Sequence, residues 1–186
     1  MNRSKVWTVL HEAGRWQDMR RPLPEIQRRF NRDHYGEVNG YLVLKIDKLG
    51  VEKRGIILRN PADLWLSITT WHSQEKWRRN RLQKWNEDFN RIMTWMPHLL
   101  RLAESGRYFV IEFERMVRSQ SYLRSILRHF EIDDVKISKK LIETKINASP
   151  DVIKRTRLEI FKPRIRDSIK RLTENYLQRT ETIFGK

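Results

Sequence analysis

Arg54-Gly55-Ile56-Ile57-Leu58-Arg59-Asn60-Pro61-Ala62-Asp63-Leu64-Trp65-Leu66-Ser67 reads as a strand, a sharp turn and a helix start in one line. Ile56, Ile57 and Leu58 form the short apolar run of a buried parallel strand. Asn60 is a strong N-cap residue, and Pro61 suits the first helical turn, where a missing N–H costs nothing. Asp63, three residues after the cap, is placed to reach back to the cap's own N–H as in a capping box. A helix N-terminus at the carboxyl end of a strand is where open α/β sheets bind ligands. Free N–H groups and the helix dipole favour an anion there. Arg59 enters the turn with a guanidinium suited to phosphate oxygens. Ser67 lies two turns on, on the face of Asn60 and Asp63, so Arg59 and Ser67 are candidates to grip one phosphate from two sides. An Asn-Pro pair after a strand is also an ordinary way to begin a helix, and both readings stand on spacing alone.

The chain around this stretch has 186 residues, enough for one domain with a real core. It has no cysteine, hence no disulfide and no thiolate metal site, and no metal is expected. No apolar run approaches the length of a membrane span and no secretory signal opens the chain, so the cytoplasm is the expected compartment. The formal charge of +16 calls for acidic partners: nucleic acid, an anionic surface or glycan, or a polyanionic cofactor. The basic residues are spread along the whole chain, as on a solvated surface, and nucleic-acid binding needs more than charge.

Before the central stretch, Val6 to Leu10 reads as a strand followed by His11 and Glu12. Polar residues just past a strand end lie at the ligand edge of a parallel sheet, which makes both candidates for acid–base work; the alternative is a plain loop. Residues 15–33 are polar and basic, with Arg20, Arg21, Arg28, Arg29 and Arg32, and a short helix is expected from Leu23 through Phe30. Gly36 and Gly40 bracket a close backbone turn feeding a helix or strand, and Glu37 within it is a further candidate base.

After the central stretch, a helix is expected from Asp63 to about Ser73 with Leu64, Ile68 and Trp71 on its apolar face. Ser73 to Arg81 mixes Lys76, Arg78, Arg79 and Arg81 with Trp77, a pattern open to single-stranded nucleic acid, to an anionic substrate or to plain exposure. Trp85, Phe89, Ile92, Met93, Met96, Leu99 and Leu100 space out a core helix, interrupted near Pro97 and stopped at Gly106. Tyr108 to Glu114 is the next strand, and Tyr122, Leu123, Ile126, Leu127 and Phe130 line a following helix. Asn147 to Pro150 is a cap signal, and a last helix from Arg164 to Thr182 carries a stripe of Ile165, Ile169, Leu172, Tyr176 and Leu177.

Arg59-Asn60-Pro61-x-Asp63-x-x-x-Ser67 after an apolar strand resembles the 3′-phosphate-binding segment of sulfotransferases, which use 3′-phosphoadenosine 5′-phosphosulfate as donor. The resemblance implies that Arg59 and Ser67 hold the donor's 3′-phosphate, with Asn60 in the same segment. Phe113-Glu114-Arg115-Met116 is similar to the family's Tyr-Glu-Asp-Leu strand end, and Phe130-Glu131-Ile132 to its Phe-Leu-Gly-Ile helix end. Phe replaces the Tyr that contacts the nucleotide, and Phe113 is left to pack on the adenine. The run Tyr35-Gly36-Glu37-x-Asn39 and the phrase Tyr176 to Gly185 resemble bacterial members of the family. No Gly-Asp-Trp-Lys-like loop is present, with Lys162, Arg164 or Arg166 as candidate substitutes for it, and nothing matches the N-terminal loop that holds the 5′-phosphosulfate.

The expected fold is therefore α/β: one domain, residues 1–186, with a small parallel sheet flanked by helices and helix dominant. In family terms it is a P-loop-like sulfotransferase fold lacking its first β-α unit. The implied activity is sulfuryl transfer from 3′-phosphoadenosine 5′-phosphosulfate to a hydroxyl or amine acceptor, weakened by the missing loop, with His11, Glu12 and Glu37 as candidate bases. The alternative is a non-catalytic basic α/β module that binds nucleic acid or another polyanion.

Overall fold

The computed structural model describes residues 7–11, 34–38, 46, 53–72, 80–132, 158 and 161–185. Their elements run β1 (Trp7–His11), β2 (His34–Val38), β3 (Gly55–Leu58), α1 (Pro61–His72), α2 (Arg81–Glu104), β4 (Phe109–Glu112), α3 (Phe113–Met116), α4 (Gln120–His129) and α5 (Pro163–Phe184). Helix predominates, and the strands form two parallel pairs, β1 with β2 and β3 with β4. The chain contacts group into two units, Met1–Arg54 with Leu123–Ile137, and Gly55–Tyr122 with Ser138–Lys186.

In the first unit β1 pairs with β2 from Trp7 opposite His34 to His11 opposite Val38. The stretch expected to be a turn around Gly36 is itself a strand. Lys53 ties this unit at its end: its ammonium donates to the His129 carbonyl (3.1 Å) and to Glu131 Oε1 (2.6 Å). Glu131 has φ 57°, the left-handed position past the end of α4, and the Ile132 amide closes the helix on the Leu127 carbonyl (2.9 Å). Glycine ordinarily takes that position, because a Cβ there is strained.

The second unit is built on the β3–β4 pair. Parallel strands need a crossover, and α1 and α2 supply it. Ile56 and Leu58 are buried while Ile57 between them is 38% exposed, so the apolar run is covered on one face rather than two. Asn60 caps α1 as expected: its side-chain oxygen accepts the amides of Ala62 (2.9 Å) and Asp63 (3.3 Å). After Pro61, the deepest positions of α1 are Trp65 and Thr69, not Leu64 and Ile68, which are half-buried. Thr69 is tolerated in the core because its hydroxyl donates to the Trp65 carbonyl (2.8 Å).

Helix α2 runs unbroken through Pro97. Proline forfeits one backbone bond and costs about 3 kcal/mol in a helix interior. Burial of Ile92, Met96 and Leu100 along the same face offsets that loss, at roughly 1.5–3 kcal/mol per large side chain. Gly106, at φ +69°, follows the helix as the expected stop. α5 packs on both α1 and α2 through Ile169, Leu172 and Tyr176, but Leu177, expected on that stripe, is 49% exposed. Arg179 of α5 grips both carboxylate oxygens of Glu104 at the end of α2. β4 stops at Glu112, two residues earlier than expected, because the Val117 amide bonds the Phe113 carbonyl (3.1 Å) and opens a helical turn there.

The expected helix at Leu23–Phe30, Lys76 to Arg79 around Trp77 and the cap signal at Asn147–Pro150 lie outside the described residues.

The strained position at Glu131 gives a prediction. Glu131→Gly and Glu131→Ala both lose Lys53, but only the first relieves the left-handed backbone. Urea unfolding is expected to find the Gly variant about 1 kcal/mol more stable than the Ala variant. Equal stabilities would show that the backbone there carries no strain.

Candidate anion-binding site at the strand ends

Strand register decides which residues meet. Leu58 pairs with Glu112 at the ends of β3 and β4. Carrying that register one and two residues further sets Arg59 beside Phe113 and Asn60 beside Glu114. Both contacts are present: the Arg59 guanidinium carbon stands 4.6 Å over the Phe113 ring, and Glu114 Oε1 accepts the Asn60 amide at 2.8 Å. Two sequence motifs more than fifty residues apart thus close into one cluster.

The helix N-terminus differs from expectation. Asp63 does not bond the cap amide; Glu114 does, because the parallel register delivers it there. The N–H groups expected to be free for an anion are in use. Pro61 has none, Ala62 and Asp63 donate to the Asn60 side chain, and Leu64 donates to the Asn60 carbonyl (2.9 Å). An anion at this place must be held by side chains.

Two side chains are available for it. Among the described residues, the Arg59 guanidinium has no hydrogen-bond acceptor. Burial pulls its pKa below the usual value, while the carboxylates of Asp63 and Glu114 work in the opposite direction. A half-buried guanidinium pinned on a ring, with its donors unspent, is a preorganised fork for an oxyanion. Ser67 is exposed on the same face of α1 as Asp63, and its hydroxyl has no partner among the described residues, unlike that of Thr69.

Three further residues join the cluster. The Tyr122 hydroxyl accepts the Glu112 amide (3.0 Å), supplying a phenol at the strand end where position 113 has none. Arg115 lies over the Tyr122 ring at 4.5 Å. Tyr176 reaches the cluster from α5: burial first, then the carboxylates of Glu114, Glu112 and Asp63, push its hydroxyl well above the usual range. Glu114 and Tyr122 were not legible as site residues in the sequence, although the Phe113-Glu114 strand end was the signal that led to the first. Tyr176 was legible only as part of a stripe and a closing phrase.

His11 ends β1 and Glu37 sits in β2, both in the other unit, and Glu12 lies outside the described residues. Lys162 and Arg164 are exposed at the start of α5, and Arg166 is held by Asp167 (3.2 Å). Among the described residues no group of His, Cys, Asp and Glu is placed to hold a metal ion, and no helix is long and apolar enough to cross a membrane. Comparisons with models of protein families, with curated proteins and with solved structures found no match.

If the Glu114 bond fixes the strand ends, its loss must show in stability. Glu114→Ala is expected to lower the unfolding free energy by about 1.5–3 kcal/mol, the range for a hydrogen bond to a charged group. Glu114→Gln keeps an oxygen acceptor and loses less. Urea denaturation followed by tryptophan fluorescence measures both, and an unchanged midpoint in Glu114→Ala contradicts the assignment.

Proposed function

We propose that this chain binds the 3′-phosphate of an adenosine nucleotide through Arg59 and Ser67, as a sulfotransferase-like protein whose donor is 3′-phosphoadenosine 5′-phosphosulfate. The observation that carries the proposal is the Arg59 guanidinium. It is half-buried, stacked on Phe113 at the carboxyl edge of a parallel strand pair, and without a hydrogen-bond acceptor among the described residues. The residue spacing from Arg59 to Ser67 and the meeting of the two strand-end motifs lend it support.

In this reading Arg59 supplies two parallel N–H donors to the phosphate and Ser67 a hydroxyl from the next turns of α1. Phe113 fixes the guanidinium plane and so limits the entropy lost on binding. Asp63 and Glu114 lie close enough to weigh against the anion. They select a ligand that brings contacts beyond its charge, such as an adenosine. The donor supplies the sulfuryl group. Transfer would form a sulfur–oxygen or sulfur–nitrogen bond to the acceptor, break the sulfur–oxygen bond to the 5′-phosphate and release the acceptor's proton to a base. The competing reading, a polyanion-binding basic module, draws on the +16 charge.

Calorimetry with adenosine 3′,5′-bisphosphate separates the two. Arg59→Ala is expected to weaken binding at least about tenfold, and Ser67→Ala less, from the strengths of charged and neutral hydrogen bonds. Salt-sensitive binding to any polyanion that ignores both substitutions supports the competing reading instead.

A further inference from the structure

A second cluster of unspent donors lies where α1, α2 and α5 meet. Trp65 of α1 is fully buried, and its ring touches Phe89 (5.8 Å) and Phe161 (5.2 Å). Phe161, just before α5, also packs against Trp85 of α2 at 5.3 Å. The Arg81 guanidinium carbon stands 5.3 Å over the Trp85 ring. Arg81, Trp85 and Phe89 recur every fourth residue, so they form one row along α2.

Among the described residues, three N–H groups in this chain of rings are buried without an acceptor: Trp65 Nε1, Trp85 Nε1 and Arg81 Nε. Buried donors are nearly always bonded, and three in one contact network mark a place where an acceptor belongs. Among the described residues, the acids on this stretch of α2 are bonded elsewhere. Glu87 is held by Gln83 and Lys84, and Asp88 by Arg91.

The local backbone points to the same chemistry. α2 opens on Asn80 without a side-chain cap bond and has no acid in its first turn. α5 opens on Lys162, next to Phe161, likewise without a side-chain cap bond or a first-turn acid. Natural helices place acids and caps at such ends. Here two helix starts carry Arg81, Lys84, Lys162 and Arg164 instead. That arrangement is unfavourable in an empty protein and favourable around an anion.

We propose that Arg81, Trp65 and Trp85, around Phe161, bind an oxyanion of the phosphate or sulfate type. The site is separate from Arg59 and does not rest on the function proposed above. Trp65 lies on the buried face of α1, whereas Ser67 lies on the exposed one. The guanidinium supplies charge, the indoles supply neutral N–H donors, and the rings exclude water from the bound group.

The full chain labelled with nitrogen-15 provides the test. It has seven tryptophans, whose indole N–H signals are separately observable, and Trp65→Phe and Trp85→Phe assign the two of interest. Sodium phosphate is titrated against chloride at fixed ionic strength. Both signals are expected to move together and saturate. Arg81→Ala should weaken the effect about tenfold or more, and Arg59→Ala should leave it unchanged. Phenyl phosphate in a second titration distinguishes the source. Tighter binding than phosphate assigns an ester with an aromatic group, and equal binding assigns the free anion. Signals that stay in place, move without saturation or ignore Arg81→Ala overturn the proposal.

Discussion

The hydrogen bond from the Asn60 amide to Glu114 is the constraint on which the second unit depends. It joins the turn after β3 to the turn after β4 and thereby holds the register that begins at Gly55 and Phe109. Two four-residue strands make a weak sheet alone. The buried side chains of Ile56, Leu58 and Ile111 add apolar burial but no register, since neighbouring apolar residues interchange at little cost. A carboxylate that fits one amide does specify register. It also leaves Asp63 out of the cap and sets the Arg59 guanidinium over Phe113.

The same turn decides what the start of α1 has left to offer a ligand. The α1 amides are spent on Asn60, so the helix end offers an anion its dipole and no free N–H. In the proposed function, recognition falls to Arg59 and Ser67. The start of α2 is the opposite case: among the described residues it has no side-chain cap bond, no acid in its first turn and buried donors without acceptors. A chain carrying +16 has cations to spare for both. At both places, among the described residues, a cationic donor is fixed by an aromatic ring and left without an acceptor.

Local signals in the sequence carried the parts of the fold that local physics decides. β3, the Asn60 cap, the Gly106 stop and the amphipathic runs of α2 and α5 all follow from spacing and residue type, and all are present. Non-local physics decides the rest. Glu114 bonds an amide 54 residues away, which no window of sequence reveals. Pro97 reads as a break, yet packing on both sides carries the helix through it. The stripe on α5 loses Leu177 to solvent because the bodies facing that helix, α1 and α2, cover a narrower arc than the apolar residues span. Within the candidate site, Arg59, Asn60, Ser67 and Phe113 were legible as motif residues. Their meeting was not, because it depends on two motifs pairing in parallel at one register.

Phosphorus NMR of adenosine 3′,5′-bisphosphate tests the central claim most directly, because the two phosphates give separate signals. On adding the protein the 3′-phosphate signal is expected to shift, and to return to its free position with Arg59→Ala. A shift confined to the 5′-phosphate, or one that survives Arg59→Ala, would contradict the assignment of this strand-end cluster as a 3′-phosphate site.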